Sequence, residues 1–182
     1  MSTKVVTPKF RVSFPHVFEP QVNQDSGKKQ YSIVMLFDQD ADLSELKKIA
    51  KEAKVEKWAD KPPANFQTPF KDGNTKDYSG YEDTIFINAK SISSPGIVDE
   101  SKQPILDREE FYAGCYARAT ITAYAWTYMG KHGVSFGLQN LQKMNDGEPF
   151  SGKTKAEDDF ESIAVADEDG TAELNSVEGL DI

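Results

Sequence analysis

Residues 115–129 read Cys115-Tyr116-Ala117-Arg118-Ala119-Thr120-Ile121-Thr122-Ala123-Tyr124-Ala125-Trp126-Thr127-Tyr128-Met129. The chain then passes through Gly130-Lys131-His132-Gly133 and continues as Val134-Ser135-Phe136-Gly137-Leu138-Gln139-Asn140-Leu141-Gln142-Lys143-Met144. Successive side chains of a strand point to opposite faces, so parity sorts them. The odd positions Cys115, Ala117, Ala119, Ile121, Ala123, Ala125 and Met129 make a small apolar face. The even positions Tyr116, Arg118, Thr120, Thr122, Tyr124, Trp126 and Tyr128 make an aromatic and polar one. With a turn at residues 130–133, Met129 pairs with Val134 and the two segments form a hairpin. The apolar face then meets Val134, Phe136 and Leu138, a core. The aromatic face meets Ser135, Gly137, Gln139, Leu141 and Lys143.

In that register Gly137 lies across from Trp126 and leaves room above the sheet, Gln139 across from Tyr124, and Lys143 across from Thr120. Aromatic rings flanked by Arg and Lys suit sequence-tolerant contact with a single nucleic-acid strand. Bases stack on rings at about 1–3 kcal/mol each, and cations hold the phosphates.

Outward from the hairpin, residues 5–14 alternate around Phe10, Val12 and Phe14, a strand with one buried face, and Pro15 and Pro20 bracket a connection. Residues 30–38 are apolar on both parities (Tyr31, Ile33, Met35, Phe37; Val34, Leu36), as a doubly covered strand is. A helix follows over residues 43–58. Asp42 and Glu45 give it a capping-box-like start, Leu43, Leu46, Ile49, Ala50 and Ala53 its apolar stripe, and lysines and glutamates its solvated face. Residues 59–83 form a long loop with Phe66, Phe70, Tyr78 and Tyr81 beside Lys71 and Lys76, and loops of that length are usually functional or mobile. Residues 84–91 are a third strand. The pattern is mainly β: a five-stranded barrel of the oligonucleotide-binding type, one helix between strands 2 and 3, long loops, and a disordered acidic C-terminal tail.

The charge divides the chain into residues 1–154, a binding domain, and residues 155–182, the tail. The domain is balanced in Lys/Arg and Asp/Glu. In the tail Lys155 stands against ten acidic residues, so the tail carries the whole net charge of −9. Like-charged blocks stay solvated and serve as interaction arms. Cys115 is the single cysteine, which excludes an intrachain disulfide and a cysteine zinc site. No window approaches the roughly 18 apolar residues of a membrane span, and no signal-peptide run opens the chain. The expectation is a cytoplasmic protein of a reducing compartment, with no cofactor, metal or membrane partner.

Gly147-Glu148-Pro149-Phe150-Ser151-Gly152-Lys153-Thr154 matches the phosphate-loop pattern letter for letter. That pattern works between a strand and a helix N-terminus in a parallel α/β sheet, and no βαβ unit is available here. Asp38, Asp40 and Asp42 lack the glycine and distal glutamate of a calcium loop and read better as a strand end and helix cap. His16 and His132 belong to no motif. Nothing points to catalysis.

The segments 111–119, 134–143 and 146–150, with Pro8-Lys9-Phe10-Arg11-Val12-Ser13-Phe14 and Tyr31-Ser32-Ile33-Val34-Met35-Leu36-Phe37, resemble a family of tailed-bacteriophage single-stranded DNA-binding proteins over about residues 5–155. The resemblance implies an oligonucleotide-binding barrel without catalysis and a disordered acidic tail that contacts phage or host replication proteins. It also implies that residues 147–154 end the domain. Many acidic-tailed single-strand binders finish on phenylalanine, whereas this chain finishes Leu180-Asp181-Ile182, the expected partner-binding residues, with Phe160 the tail's one aromatic. The candidate DNA-binding set is Lys9, Arg11, Tyr31, Arg118, Tyr124, Trp126, Tyr128, Gln139 and Lys143. The expected function is coating of single-stranded DNA in phage replication and recombination, with the tail autoinhibitory and partner-recruiting. The alternative is an acidic-tailed interaction protein or DNA mimic that binds a basic protein.

Overall fold

The computed structural model describes residues 3–24, 26–150, 160, 162 and 163. The boundary at residue 154, Lys153, and the Leu180, Asp181 and Ile182 terminus lie outside the described residues, as does nearly all of the expected tail.

The long strands are β2 (Phe10–Val22), β3 (Lys29–Asp38), β6 (Thr84–Ser91), β8 (Tyr116–Tyr128) and β9 (Lys131–Asn145). Short ones are β1 (Val5–Val6), β4 (Phe66–Gln67), β5 (Lys71–Asp72) and β7 (Gly96–Val98). β2 pairs β3, β3 pairs β6, β6 pairs β9, β9 pairs β8, and β8 returns to β2, so five strands close a ring. Within that ring β6 and β9 run parallel and the other pairs antiparallel. Helix α1 (Ser44–Trp58) lies in sequence between the second and third ring strands, and the expected barrel is the barrel found.

Phe10, Val12, Ile33, Met35, Phe37, Ile87 and Ile121 fill the interior. α1 closes one end. Its buried side chains Leu46, Ile49, Ala50 and Ala53, with Leu43 just before it, are the apolar stripe read from the sequence. The helix begins one residue later than expected. Just before the helix an Asp42 carboxylate accepts from the Ser44 backbone N–H at 3.1 Å; hydrogen bonding from the Ser44 side chain first, and this backbone bond second, hold its pKa below the usual value.

The first strand departs from expectation. Val5–Val6 is a separate strand on β8, and β2 runs on through Pro15 and Pro20. Two register shifts, between Ser13 and His16 and between His16 and Gln21, make room for prolines that cannot donate to the ladder. At the first shift Phe14 takes a φ of 43°, and its side chain turns outward instead of following Phe10 and Val12 into the core. Phe14 is therefore not a core residue.

The hairpin has the expected faces but a different register. Its turn is Met129-Gly130, with φ of 50° and 79°, and Tyr128 pairs Lys131. Two consecutive left-handed residues are what a tight two-residue hairpin turn needs. Trp126 thus pairs Gly133, Tyr124 pairs Ser135 and Thr122 pairs Gly137. Relative to the expected pairs the partner slides by four residues. An even slip preserves parity, so the core face survives while every named pair changes. A second irregularity, between Thr120 and Ile121, leaves Gln139 outside the ladder and reverses parity beyond it. Leu141, expected on the aromatic face, pairs Ala119 and is 1% exposed.

Candidate nucleic-acid interface

Two aromatic surfaces stand on the outside of the barrel. The first is the hairpin face. Tyr124 and Tyr128 are 41% and 52% exposed. Trp126 between them is only half-exposed, because its indole lies across Gly133. A Cβ at Gly133 would meet the ring at 2.7 Å, so glycine is what lets the indole lie flat there. The indole Nε1 donates to Ser135 Oγ at 2.8 Å, which fixes the ring's orientation. Burial raises the Tyr124 phenol's pKa, with the Ser135 hydrogen bond acting in the opposite direction. Arg118 is exposed and donates to Gln142 Oε1 at 2.8 Å. Lys9 places its ammonium 5.1 Å from the centre of the Tyr116 ring. Trp126, Tyr124, Tyr128, Arg118 and Lys9 thus share one side of the β8–β2 surface.

Four other expected residues do not join them. Lys143 pairs Ala117, on the core parity, and its side chain is 13% exposed. Its ammonium sits 2.7 Å from Asp146 and 5.3 Å from the Tyr112 ring centre. Burial pulls the Lys143 pKa down, but Asp146 outweighs it and the net shift is upward. The charge is neutralised inside the fold. Gln139 is exposed on the bulge, out of register with Tyr124. Tyr31 pairs Ser91 and follows the parity of Ile33, away from the hairpin. Arg11 is half-buried. Its guanidinium donates to the carbonyls of Gly114 at 3.3 Å and Glu148 at 2.6 Å, and lies 4.0 Å from the Phe150 ring centre. Those acceptors are neutral, so Arg11 latches the end of the domain and keeps its charge.

The second surface was not assembled from the sequence. Residues 73–83 fold back over the outer face of β3 and β6, and Tyr81 packs on Leu36 and Phe86. Its buried hydroxyl is 2.7 Å from Ser13 Oγ, and burial raises the phenol's pKa while that hydrogen bond acts to lower it. Tyr78 stands edge-on to Tyr81 at 5.2 Å and to Phe14 at 5.4 Å. The result is a groove of about 530 Å³ lined by Phe14, Val34, Tyr78, Tyr81, Phe86 and Asn88, with Lys71 and Lys76 at its side. An apolar extension of about 420 Å³ runs past Tyr78 to Phe150. Tyr81 and Phe86 are floor. Phe14 and Tyr78, 46% and 48% exposed, are the rings a base can reach. The clustering of Tyr78 and Tyr81 with Lys71 and Lys76 in one long loop was the sequence signal. Phe14, Phe86 and Phe150 gave none.

The described part of the phosphate-loop pattern, residues 147–150, is engaged in packing. The Gly147 N–H donates to Tyr112 Oη at 3.2 Å and the Phe150 N–H to the Ala113 carbonyl at 3.1 Å, so these amides are not free to cradle phosphate. A Cβ at Gly147 would strike the Gly114 carbonyl. No group of three or more metal-ligating side chains occurs among the described residues.

The family model of the single-stranded DNA-binding protein of Enterobacter phage Enc34 matches residues 3–171 of the chain. The chain belongs to this family. Among relatives, protein p50 of Acyrthosiphon pisum secondary endosymbiont phage 1 is 28% identical over 179 residues, 91% of this chain and 97% of that one. Among solved structures, the Enc34 single-stranded DNA-binding protein in complex with single-stranded DNA superposes with a TM-score of 0.69 at 24% identity, over 81% of this chain and 89% of that one. Bacteriophage T7 gp2.5, a single-stranded DNA-binding protein, superposes with a TM-score of 0.60 at 10% identity, over 84% and 97%. These likenesses concern the fold. No helix among the described residues is long and apolar enough to cross a membrane.

Proposed function

We propose that this protein binds single-stranded DNA with little base preference and coats it during phage replication and recombination. The observation that carries the reading is the groove in which Phe14 and Tyr78 offer exposed rings beside Lys71 and Lys76. Rings that meet any base by stacking and cations that meet any phosphate give affinity without a sequence code. The hairpin face of Tyr124, Trp126 and Tyr128, with Arg118 and Lys9, is a second set of contacts. The uncompensated Arg11 stands at the groove's Phe150 end. We assign no catalytic role to any residue. The tail, residues 155–182, acts as a tethered polyanion that competes with DNA and recruits replication proteins. In support, Phe150, beyond which the chain continues toward that tail, lines the groove's apolar extension. The test is binding of the full chain to oligo-dT and to duplex at several salt concentrations. The expected result is tighter binding to oligo-dT, weakening as salt rises because phosphate contacts release counterions. Equal affinity for duplex, or no binding to oligo-dT at low salt, refutes it.

A further inference from the structure

We propose that Lys47, Lys51 and Lys54, on one flank of α1, form a second phosphate-contact surface that carries the backbone of a bound strand onward from the aromatic groove. The inference rests on the single-strand reading above and extends its path. At spacings of four and three residues these lysines share one side of the helix. Glu45, Glu52 and Glu56, at seven and four, share the other. Of the remaining helix lysines, Lys48 stands between the two flanks, four residues before Glu52, and Lys57, three residues after Lys54, borders a cleft with Glu56 and Tyr124.

Such segregation works against the helix. Lys47 with Lys51 and Glu52 with Glu56 are like-charge pairs one turn apart, each unfavourable, where interleaved signs would stabilise. Solubility alone asks for mixed signs on an exposed face. A local rule broken without structural gain is the expected mark of a functional surface. Among the described residues, Lys47, Lys51 and Lys54 make no ion pair; Lys47 contributes to lowering the Asp42 pKa, and Lys54 lies over the Phe66 ring.

The position of the flank supplies the path. Lys54 Nζ lies 4.8 Å from the centre of the Phe66 ring, so the basic side of α1 faces β4. β4 pairs β9 at His132 and Gly133, and β5 pairs β6 at Phe86 and Ile85. The segment between them fills the gap where β6 and β9 part. Lys71, in the groove wall, is five residues from Phe66, at most about 18 Å of chain. Lysines on α1, Phe66, Lys71 and Lys76 therefore succeed one another along one border of the barrel, while Glu56 and Lys57 at the helix end border the cleft beside Tyr124.

The test uses the full chain with K47Q/K51Q/K54Q, which keeps good helix formers at all three positions. Oligo-dT of about 6 and about 30 nucleotides separates groove filling from a longer path. Affinity for the short oligomer should stay within about twofold. Affinity for the long one should fall, by up to about a hundredfold at ~0.1 M salt, and its salt slope should become shallower by about 2, three phosphate contacts at about 0.7 each. An unchanged affinity and slope on the long oligomer, or an equal loss on both lengths, overturns the proposal. So does E45Q/E52Q tightening the long oligomer by a comparable factor, because net charge alone would then explain the effect. If the native chain binds neither oligomer, the single-strand reading fails and this inference with it. If it binds both and the lysine variant matches it, only this inference fails.

Discussion

Tyr78→Ala separates stacking from charge in the groove. The ring is 48% exposed and touches Phe14 and Tyr81 edge-on at 5.4 and 5.2 Å. Two such aromatic contacts are worth about 0.5–1.5 kcal/mol each when fully formed, and the half-exposed ring leaves no closed cavity when removed. The fold should therefore survive with a loss of at most about 3 kcal/mol. Loss of one stacked base costs about 1–3 kcal/mol, which weakens oligo-dT binding about 5- to 150-fold. Tyr78→Phe keeps the π-face and should bind like the native chain. Stacking releases no counterions, so the salt slope of Tyr78→Ala should match that of the native chain. Lys76→Gln should instead lower the slope by about 0.7 with a smaller effect on affinity at high salt. Fluorescence anisotropy of labelled oligo-dT at four salt concentrations gives both numbers, and thermal melting reports the fold. A folded Tyr78→Ala variant with native affinity refutes the groove as the base-stacking site. A slope that changes with Tyr78 refutes the division of labour between ring and cation.

Gly133→Ala should displace the Trp126 indole, whose atoms lie 2.7 and 3.0 Å from the new Cβ, and so weaken its Ser135 hydrogen bond. A changed Trp126 emission spectrum in the variant, with Trp58 first replaced, supports this, and an unchanged spectrum counts against it. Ser13→Ala removes the hydrogen-bond partner of the buried Tyr81 hydroxyl and should cost about 1–3 kcal/mol by denaturant unfolding, with the phenol pKa rising further. Because the folded Tyr81 pKa already lies above the ordinary 10.0, its stabilising effect is complete below that pH and lost as pH rises through the folded value; unfolding midpoints that stay flat into strong alkali contradict it. Removal of residues 155–182 takes the net charge from −9 to 0 and should tighten oligo-dT binding, with the gap closing as salt screens the tail. A gap that does not respond to salt rules out electrostatic competition.

What was legible in the sequence, and what was not, divides along the backbone's regularity. The core face of β8, the helix stripe and the bounds of β6 follow from periodicity, which is local and tolerant of even slips in register. Phe14, Leu141 and Lys143 were misplaced at or beyond ladder irregularities, where one added residue reverses parity; Pro15 and Pro20 mark those in β2, and no residue marks the one between Thr120 and Ile121. Phe14 shows what such a break does. Strict alternation would have buried its ring beside Val12. A φ of 43° at the break sets it outside against Tyr78. A left-handed conformation costs a non-glycine residue about 1–2 kcal/mol, and here the cost places an exposed ring at the groove's mouth. Phe86 and Tyr81 became a floor because residues 73–83 return over a sheet face that alternation alone would have left open to water. The barrel is thus specified by regular alternation, and the groove by the positions where alternation fails. Periodicity alone therefore encodes the scaffold and carries no trace of the groove.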